Sequence, residues 1–188
     1  MMRIISGSAK GRVLNTPAGI TRPTSDRARE GIFSALESEI GTCEGISFLD
    51  LYGGTGAVGL EALSRGASEV VVVEKDVKAA QVARDNYELI RAVTTGKFSV
   101  MRMSVDGYLA LAEKPILADV VYLDPPYELA NSVIEKVLTG LGSEQALKRD
   151  AIVIVERSSR TKAFTWPDAF EAIKERKYGE GTGYFANF

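Results

Sequence analysis

The apolar run Ile116 to Leu123 ends in an acid, two prolines and an aromatic ring: Asp124, Pro125, Pro126 and Tyr127. The run is short, continuous and rich in β-branched residues, which predicts a buried strand. Successive prolines donate no backbone hydrogen bonds and hold φ at about −65°, so the strand stops and the chain turns rigidly. The Asp124 carboxylate and the Pro125 carbonyl are then acceptors beside the Tyr127 ring. Such a set suits a planar group bearing an NH2, with the acceptors on the amine and the ring stacked on the plane. Taken alone, the same four residues also suit a plain turn in which Asp124 caps the next helix.

A second stretch, Asp50-Leu51-Tyr52-Gly53-Gly54-Thr55-Gly56-Ala57-Val58-Gly59, follows an apolar run and precedes a helical pattern. Glycines at this point allow positive φ and close approach of a ligand to the backbone, where an open α/β sheet binds its ligand. Glu74 closes the next apolar run and offers two oxygens to the hydroxyls of a ribose. A nucleoside-containing cofactor follows, with Asp50, Tyr52, Gly53, Gly54, Gly56, Glu74 and Lys75 as its candidate contacts. Gly54, Gly56 and Gly59 also satisfy the dinucleotide fingerprint, which is weak alone. Asp50 argues for a ligand with a cationic amine and a sulfonium, S-adenosyl-L-methionine, over a pyrophosphate. The chain has no histidine, which also disfavours nicotinamide chemistry. Methyl transfer from a sulfonium needs only in-line placement of the acceptor, because the leaving group is already activated.

Composition narrows the classes further. The 188 residues are 45% hydrophobic, as expected of one domain with one core. No apolar stretch approaches the roughly 20 residues that span a bilayer, and the residues before Gly7 are too few for a signal peptide, so a soluble, cytoplasmic protein with no membrane partner is expected. A lone cysteine, Cys43, excludes an internal disulfide, and without histidine no metal site is expected. The net charge of −2 hides an uneven distribution. Residues 1–30 carry six bases against two acids and residues 157–188 six against four, leaving the centre at −8. The basic positions Arg3, Lys10, Arg12, Arg22, Arg27 and Arg29 form an amino-terminal arm suited to a phosphate backbone, or equally to solvent.

The elements that must position these residues alternate strictly from residue 46. Strands are predicted at Ile46–Leu51, Ser68–Glu74, Lys97–Arg102, Ile116–Leu123 and Ala151–Glu156. Helices are predicted at Ala57–Arg65, Val77–Ala92, Val105–Glu113 and Leu129–Leu141, giving a mostly parallel sheet with right-handed crossovers. Phe170–Tyr178 and Thr182–Phe188 read as a closing antiparallel hairpin. Ahead of the alternation, Arg3–Gly7 and Gly11–Leu14 read as a hairpin across Ser8, Ala9 and Lys10. A helix then starts from a cap at Thr24 or Ser25 and ends at Gly41. The expected organisation is one domain over 1–188, with a basic β-hairpin extension at 1–20 and the helix and core at 21–188.

These residues resemble the RsmD-like guanine-N2 methyltransferases of bacterial small-subunit ribosomal RNA. The likeness runs through Arg3–Gly7, Arg22–Glu30, Leu51–Gly66 and Asp124–Tyr127. The Arg22-Pro23-Thr24 segment behind a hairpin is more specific than the glycine loop or Asp-Pro-Pro-Tyr, which many amino-methyltransferases share. The resemblance implies a Rossmann-like class I S-adenosylmethionine-dependent fold: a seven-stranded, mostly parallel sheet with a carboxyl-terminal antiparallel hairpin. It implies that Asp50, the Gly53–Gly56 loop and Glu74 hold the cofactor, and that Asp124 to Tyr127 hold the guanine amine. It further implies a partner in 16S ribosomal RNA, free or within an assembling small ribosomal subunit. Where the family often has a short acid or amide near the adenine, this chain has Ser104 and Val105. Two other readings stay open: methylation of another nucleic-acid amine such as adenine N6, and a nicotinamide oxidoreductase. A non-catalytic RNA-binding factor on the same fold is a third.

Overall fold

The computed structural model describes residues 2–16, 25–143 and 145–188. Its centre is a seven-stranded sheet built from β3 (Ser47–Leu51), β4 (Glu69–Val73), β5 (Lys97–Met101), β6 (Ala118–Leu123), β7 (Leu147–Ser158), β8 (Glu171–Tyr178) and β9 (Gly181–Asn187). The strand order is β5-β4-β3-β6-β7-β9-β8. β3 to β7 run parallel, and β9 is antiparallel to both β7 and β8. The order reverses between β3 and β6, which opens a crevice at the carboxyl ends of those two strands.

Helices cover both faces. On one, Phe33 and Leu36 of α1 (Asp26–Ile40) and Leu60 and Leu63 of α2 (Ala57–Ser64) pack on Phe48, Val70, Val120 and Ile154. Ile90 of α3 (Val77–Ile90) joins the same core. On the other, Tyr108 of α4 (Val105–Leu109) and Ile134 and Leu138 of α5 (Asn131–Ser143) pack on Leu49, Val71, Val121 and Val153. The central strands are apolar on both faces because both are covered. Each fully buried aliphatic side chain contributes on the order of 2 kcal/mol.

Several boundaries differ from the sequence expectation. α4 stops at Leu109 instead of reaching Glu113. Gly107 weakens it, Pro115 lies ahead, and the Lys114 ammonium donates to the Leu109 and Leu111 carbonyls at 2.9 and 2.7 Å, satisfying its end. β7 is longer than Ala151–Glu156 and carries an irregularity in its pairing with β6, with Asp150 at φ 62°. The amino-terminal hairpin is reduced to β1 (Met2–Arg3) and β2 (Val13–Leu14), paired antiparallel. Ile4 still pairs across the hairpin, its amide donating to the Arg12 carbonyl and its carbonyl accepting from the Gly11 amide, both at 2.9 Å. Beyond it the chain turns to bond α2: the Ile5 and Ser6 amides donate to Glu61 at 2.8 and 3.0 Å, and the Ser8 amide to the Ser64 carbonyl at 2.8 Å. At Gly7, with φ 78°, an added Cβ would lie 1.8 Å from the Ser64 carbonyl oxygen, so only glycine permits this approach. Ser25 caps α1 by accepting from the Ala28 amide at 3.2 Å, and Gly41 follows its end. Arg22 and Thr24 lie outside the described residues.

Candidate active site

Register fixes where the candidate residues meet. Leu51 pairs with Val73 and with Leu123, and Val73 pairs with Met101. Tyr52, Glu74 and Asp124 therefore leave three neighbouring strands at one level, on the carboxyl edge of the sheet. The glycine loop, Lys75, Ser104, Val105 and the Pro125–Tyr127 turn share that edge. Hence the Asp-Pro-Pro-Tyr turn faces the crevice in which the glycine loop lies.

The loop is tightly built. Gly53 donates to the Val73 carbonyl at 3.1 Å, and a Cβ there would lie 2.4 Å from a Val72 methyl. Gly56, at φ 76°, turns the chain into α2. Tyr52 holds a left-handed conformation at φ 62°, which is uncommon for a side chain of this size and marks local strain at the crevice. The Gly54 amide donates to Glu74 Oε2 at 2.9 Å, while Oε1 accepts from the Asp76 amide at 2.7 Å. Ser104 caps α4 by accepting from Gly107 at 3.0 Å, and Val105 is buried.

Asp50 is buried in the crevice floor, its Oδ2 accepting from the Gly59 amide at 3.0 Å. Burial pushes its carboxyl up to about 8; Asp124 and Glu74 add to the rise, and the Gly59 bond opposes it. Among the described residues, no cation figures with the groups acting on it. Three acids thus converge on one crevice, a setting that favours a ligand carrying positive charge and disfavours a pyrophosphate. Among the described residues no group of acids, cysteines or histidines forms a metal cluster. No helix there is long and apolar enough to cross a membrane.

The acceptor turn rests on residues that sequence reasoning passed over. Pro125 is buried while Pro126 and Tyr127 are exposed, Tyr127 by 38%. Tyr122 donates from its hydroxyl to Glu156 Oε2 at 2.5 Å, linking β6 to β7 beneath Asp124. Burial, then the Asp124 charge, raises the Glu156 carboxyl to about 7, against the Tyr122 bond. Arg157, 2% exposed, reaches from β7 to the carbonyls of the turn. The available signal was position: Glu156 and Arg157 are a charged pair closing a buried strand beside the crevice.

The basic set divides. Arg3, Lys10, Arg12 and Arg27 are exposed. Arg29 is not: it is fully buried, donating to the Arg3 carbonyl at 2.6 Å and to Asp26 at 2.7 Å. It pins the arm to α1, and its expected grip on a phosphate is corrected accordingly, since a guanidinium engaged inside the fold presents no surface to RNA.

Comparison with known proteins follows the same lines. The family model described as "Conserved hypothetical protein 95" matches residues 2–187. "Ribosomal RNA small subunit methyltransferase D" of Haemophilus influenzae is 32% identical over 95% of this chain and 89% of its own. The protein of the same name from Escherichia coli K12 is 31% identical over 95% and 86%. A solved hypothetical protein of Thermus thermophilus superposes with a TM-score of 0.81 at 25% identity, over 100% of both chains. The T. thermophilus 16S rRNA N2 G1207 methyltransferase, solved with AdoMet and guanosine, shares the fold at a TM-score of 0.64 and 21% identity, over 90% of this chain and 44% of that one. With a class I methyltransferase sheet and a match over nearly its whole length, the chain belongs to the RsmD-like family, conserved hypothetical protein 95.

Proposed function

We propose that the protein methylates the exocyclic N2 of a guanine in 16S ribosomal RNA, with S-adenosyl-L-methionine as methyl donor. The observation that carries this reading is the meeting, on one sheet edge, of the Asp124–Tyr127 turn with an acid-lined glycine loop. Methyltransferase D relatives supply the ribosomal RNA class. Asp50, Tyr52, Gly53, Gly54, Gly56, Glu74, Lys75, Ser104 and Val105 are the proposed cofactor contacts. Asp50 would meet the cationic amine and Glu74 the ribose hydroxyls. The cofactor supplies an activated methyl on a sulfonium.

On the acceptor side, the guanine leaves its helix and lies against Tyr127. Asp124 and the Pro125 carbonyl accept the two protons of its amine. The amine lone pair is conjugated into the ring, and holding those protons turns it toward the methyl. Asp124 takes the released proton during or after transfer and need not be a strong base. Arg3, Lys10, Arg12 and Arg27 are the proposed phosphate contacts, with Arg22 as a further candidate outside the described residues. Such an enzyme works where ribosomal RNA is made, in the cytoplasm, on RNA that is free or in an assembling small subunit.

The test is Asp124→Ala with small-subunit RNA. Methylation should be lost while S-adenosylhomocysteine still binds within a few-fold of wild type. Loss of cofactor binding instead would move Asp124 off the acceptor side. Mapping modified guanines in ribosomal RNA from a strain lacking the gene then separates guanine N2 from adenine N6, and a calorimetric comparison with NAD separates a nicotinamide enzyme.

A further inference from the structure

The Asp124–Tyr127 turn presents backbone carbonyls that neither sheet nor helix can satisfy. Prolines at 125 and 126 remove two amides, and α5 begins only at Asn131. Within the turn itself, the Leu129 amide donates to the Pro126 carbonyl at 2.9 Å. Further order comes from another strand. Arg157 of β7 donates through one terminal nitrogen to the Pro126 carbonyl at 3.2 Å. Its other terminal nitrogen donates to the Leu129 carbonyl at 2.6 Å, with longer approaches to the Tyr127 carbonyl at 3.5 Å and Asn131 Oδ1 at 3.4 Å. The residue is 2% exposed, and its Nε has no hydrogen-bond partner among the described residues.

A buried guanidinium is costly to desolvate, and burial lowers its pKa here, with Tyr184, Asp124 and Tyr127 opposing that shift. A neutral residue would fill the space at less cost. A planar fork with five donors, by contrast, can gather several carbonyls in fixed geometry, which a lysine cannot. The carbonyls gathered here flank the one aromatic side chain of the turn.

We propose that Arg157 is a positioning residue for the acceptor base: its guanidinium gathers the Pro126, Tyr127 and Leu129 carbonyls and so fixes the pose of the Tyr127 ring. The inference rests on the reading of Asp124–Tyr127 as the base site. It gives the β7 terminus a part in acceptor binding, separate from the cofactor loop on β3 and β4.

The experiment compares full-length wild type with Arg157→Gln and Arg157→Lys. It reads hydrogen exchange of the 127–131 amides, S-adenosylhomocysteine binding by calorimetry, and steady-state methylation of unmodified small-subunit RNA. Arg157→Gln should speed exchange in 127–131 and lower kcat/KM for RNA by about 10²-fold, the cost of a misplaced reactant. Cofactor affinity should stay within twofold, and millimolar guanidinium ion should restore part of the activity. Arg157→Lys should fall between, and serves alone if the glutamine variant does not fold. Unchanged loop exchange, unchanged RNA kinetics, or an equal loss of cofactor and RNA function would each overturn the proposal. Asp124→Ala run alongside tests the base-site reading itself: if that variant still methylates, the reading fails whatever Arg157 does.

Discussion

The Gly54 amide and Glu74 Oε2 lie 2.9 Å apart, so the glycine loop and the acid that follows β4 are fastened together. Glu74→Gln keeps the size of the side chain and removes its charge. Hydrogen bonds to charged groups contribute about 1.5–3 kcal/mol. S-adenosylhomocysteine affinity should therefore fall about ten- to a hundredfold in calorimetry, with kcat at saturating cofactor largely kept. An unchanged Kd removes Glu74 from the cofactor side.

The crevice acids make stability depend on pH. Burial, more than any other cause, pushes the Asp50 carboxyl up to about 8 and the Glu156 carboxyl up to about 7. The native state thus holds protons that the unfolded chain has already shed, and the unliganded protein loses stability as pH rises from the ordinary carboxylate range to about 8. Urea unfolding across that range should show the decline, and Asp50→Asn should flatten it.

Binding of a cationic cofactor reverses the preference at Asp50 by favouring its charged form. At neutral pH the wild type should release protons when S-adenosylmethionine binds, and Asp50→Asn should release fewer. Calorimetry in buffers of different ionisation enthalpy reads this directly.

Glu61, fully buried on α2, accepts from the Ile5 and Ser6 amides and from Arg65 Nε at 2.9 Å. Glu61→Ala leaves all three donors without it and should cost about 3 kcal/mol. Gly7→Ala should free the arm more selectively, seen as faster exchange at residues 4–9 and weaker RNA binding with cofactor affinity intact.

Lys10 and Arg12 are exposed and Arg29 is buried, so their substitutions should differ in kind. Replacing Lys10 and Arg12 by alanine should reduce the salt slope of RNA binding by about 1 for each phosphate no longer neutralised. Arg29→Ala should instead lower the melting temperature. Tyr127→Ala should cost about 1–3 kcal/mol of base stacking, while Tyr127→Phe stays near wild type in kcat/KM.

Much of the architecture is local and so was legible. The strand and helix alternation after residue 46 follows from hydrophobic periodicity, and the glycine loop and the proline turn are set by residues adjacent in sequence. Both lie at strand ends because glycine and proline end strands, and parallel register then brings them to one edge. The arm was harder. Its expected ladder gives way to bonds with Glu61 and Ser64, more than fifty residues away, and no periodicity within residues 1–14 encodes that partner.

The sequence by itself determined the reaction's candidate parts: an acid-bearing glycine loop, Glu74, and the Asp124–Tyr127 turn. Only the tertiary structure decided which charges are available. Arg27 and Arg29 read alike in sequence, yet helix α1 turns one outward and buries the other against the Arg3 carbonyl and Asp26. Arg157 enters the sequence reading only as one of the six bases of residues 157–188, yet β7 carries it under the acceptor turn. The physical reason is common to both: a charge is placed by the carbonyls and carboxylates that compensate its burial, and those partners arrive from distant segments only when the sheet closes.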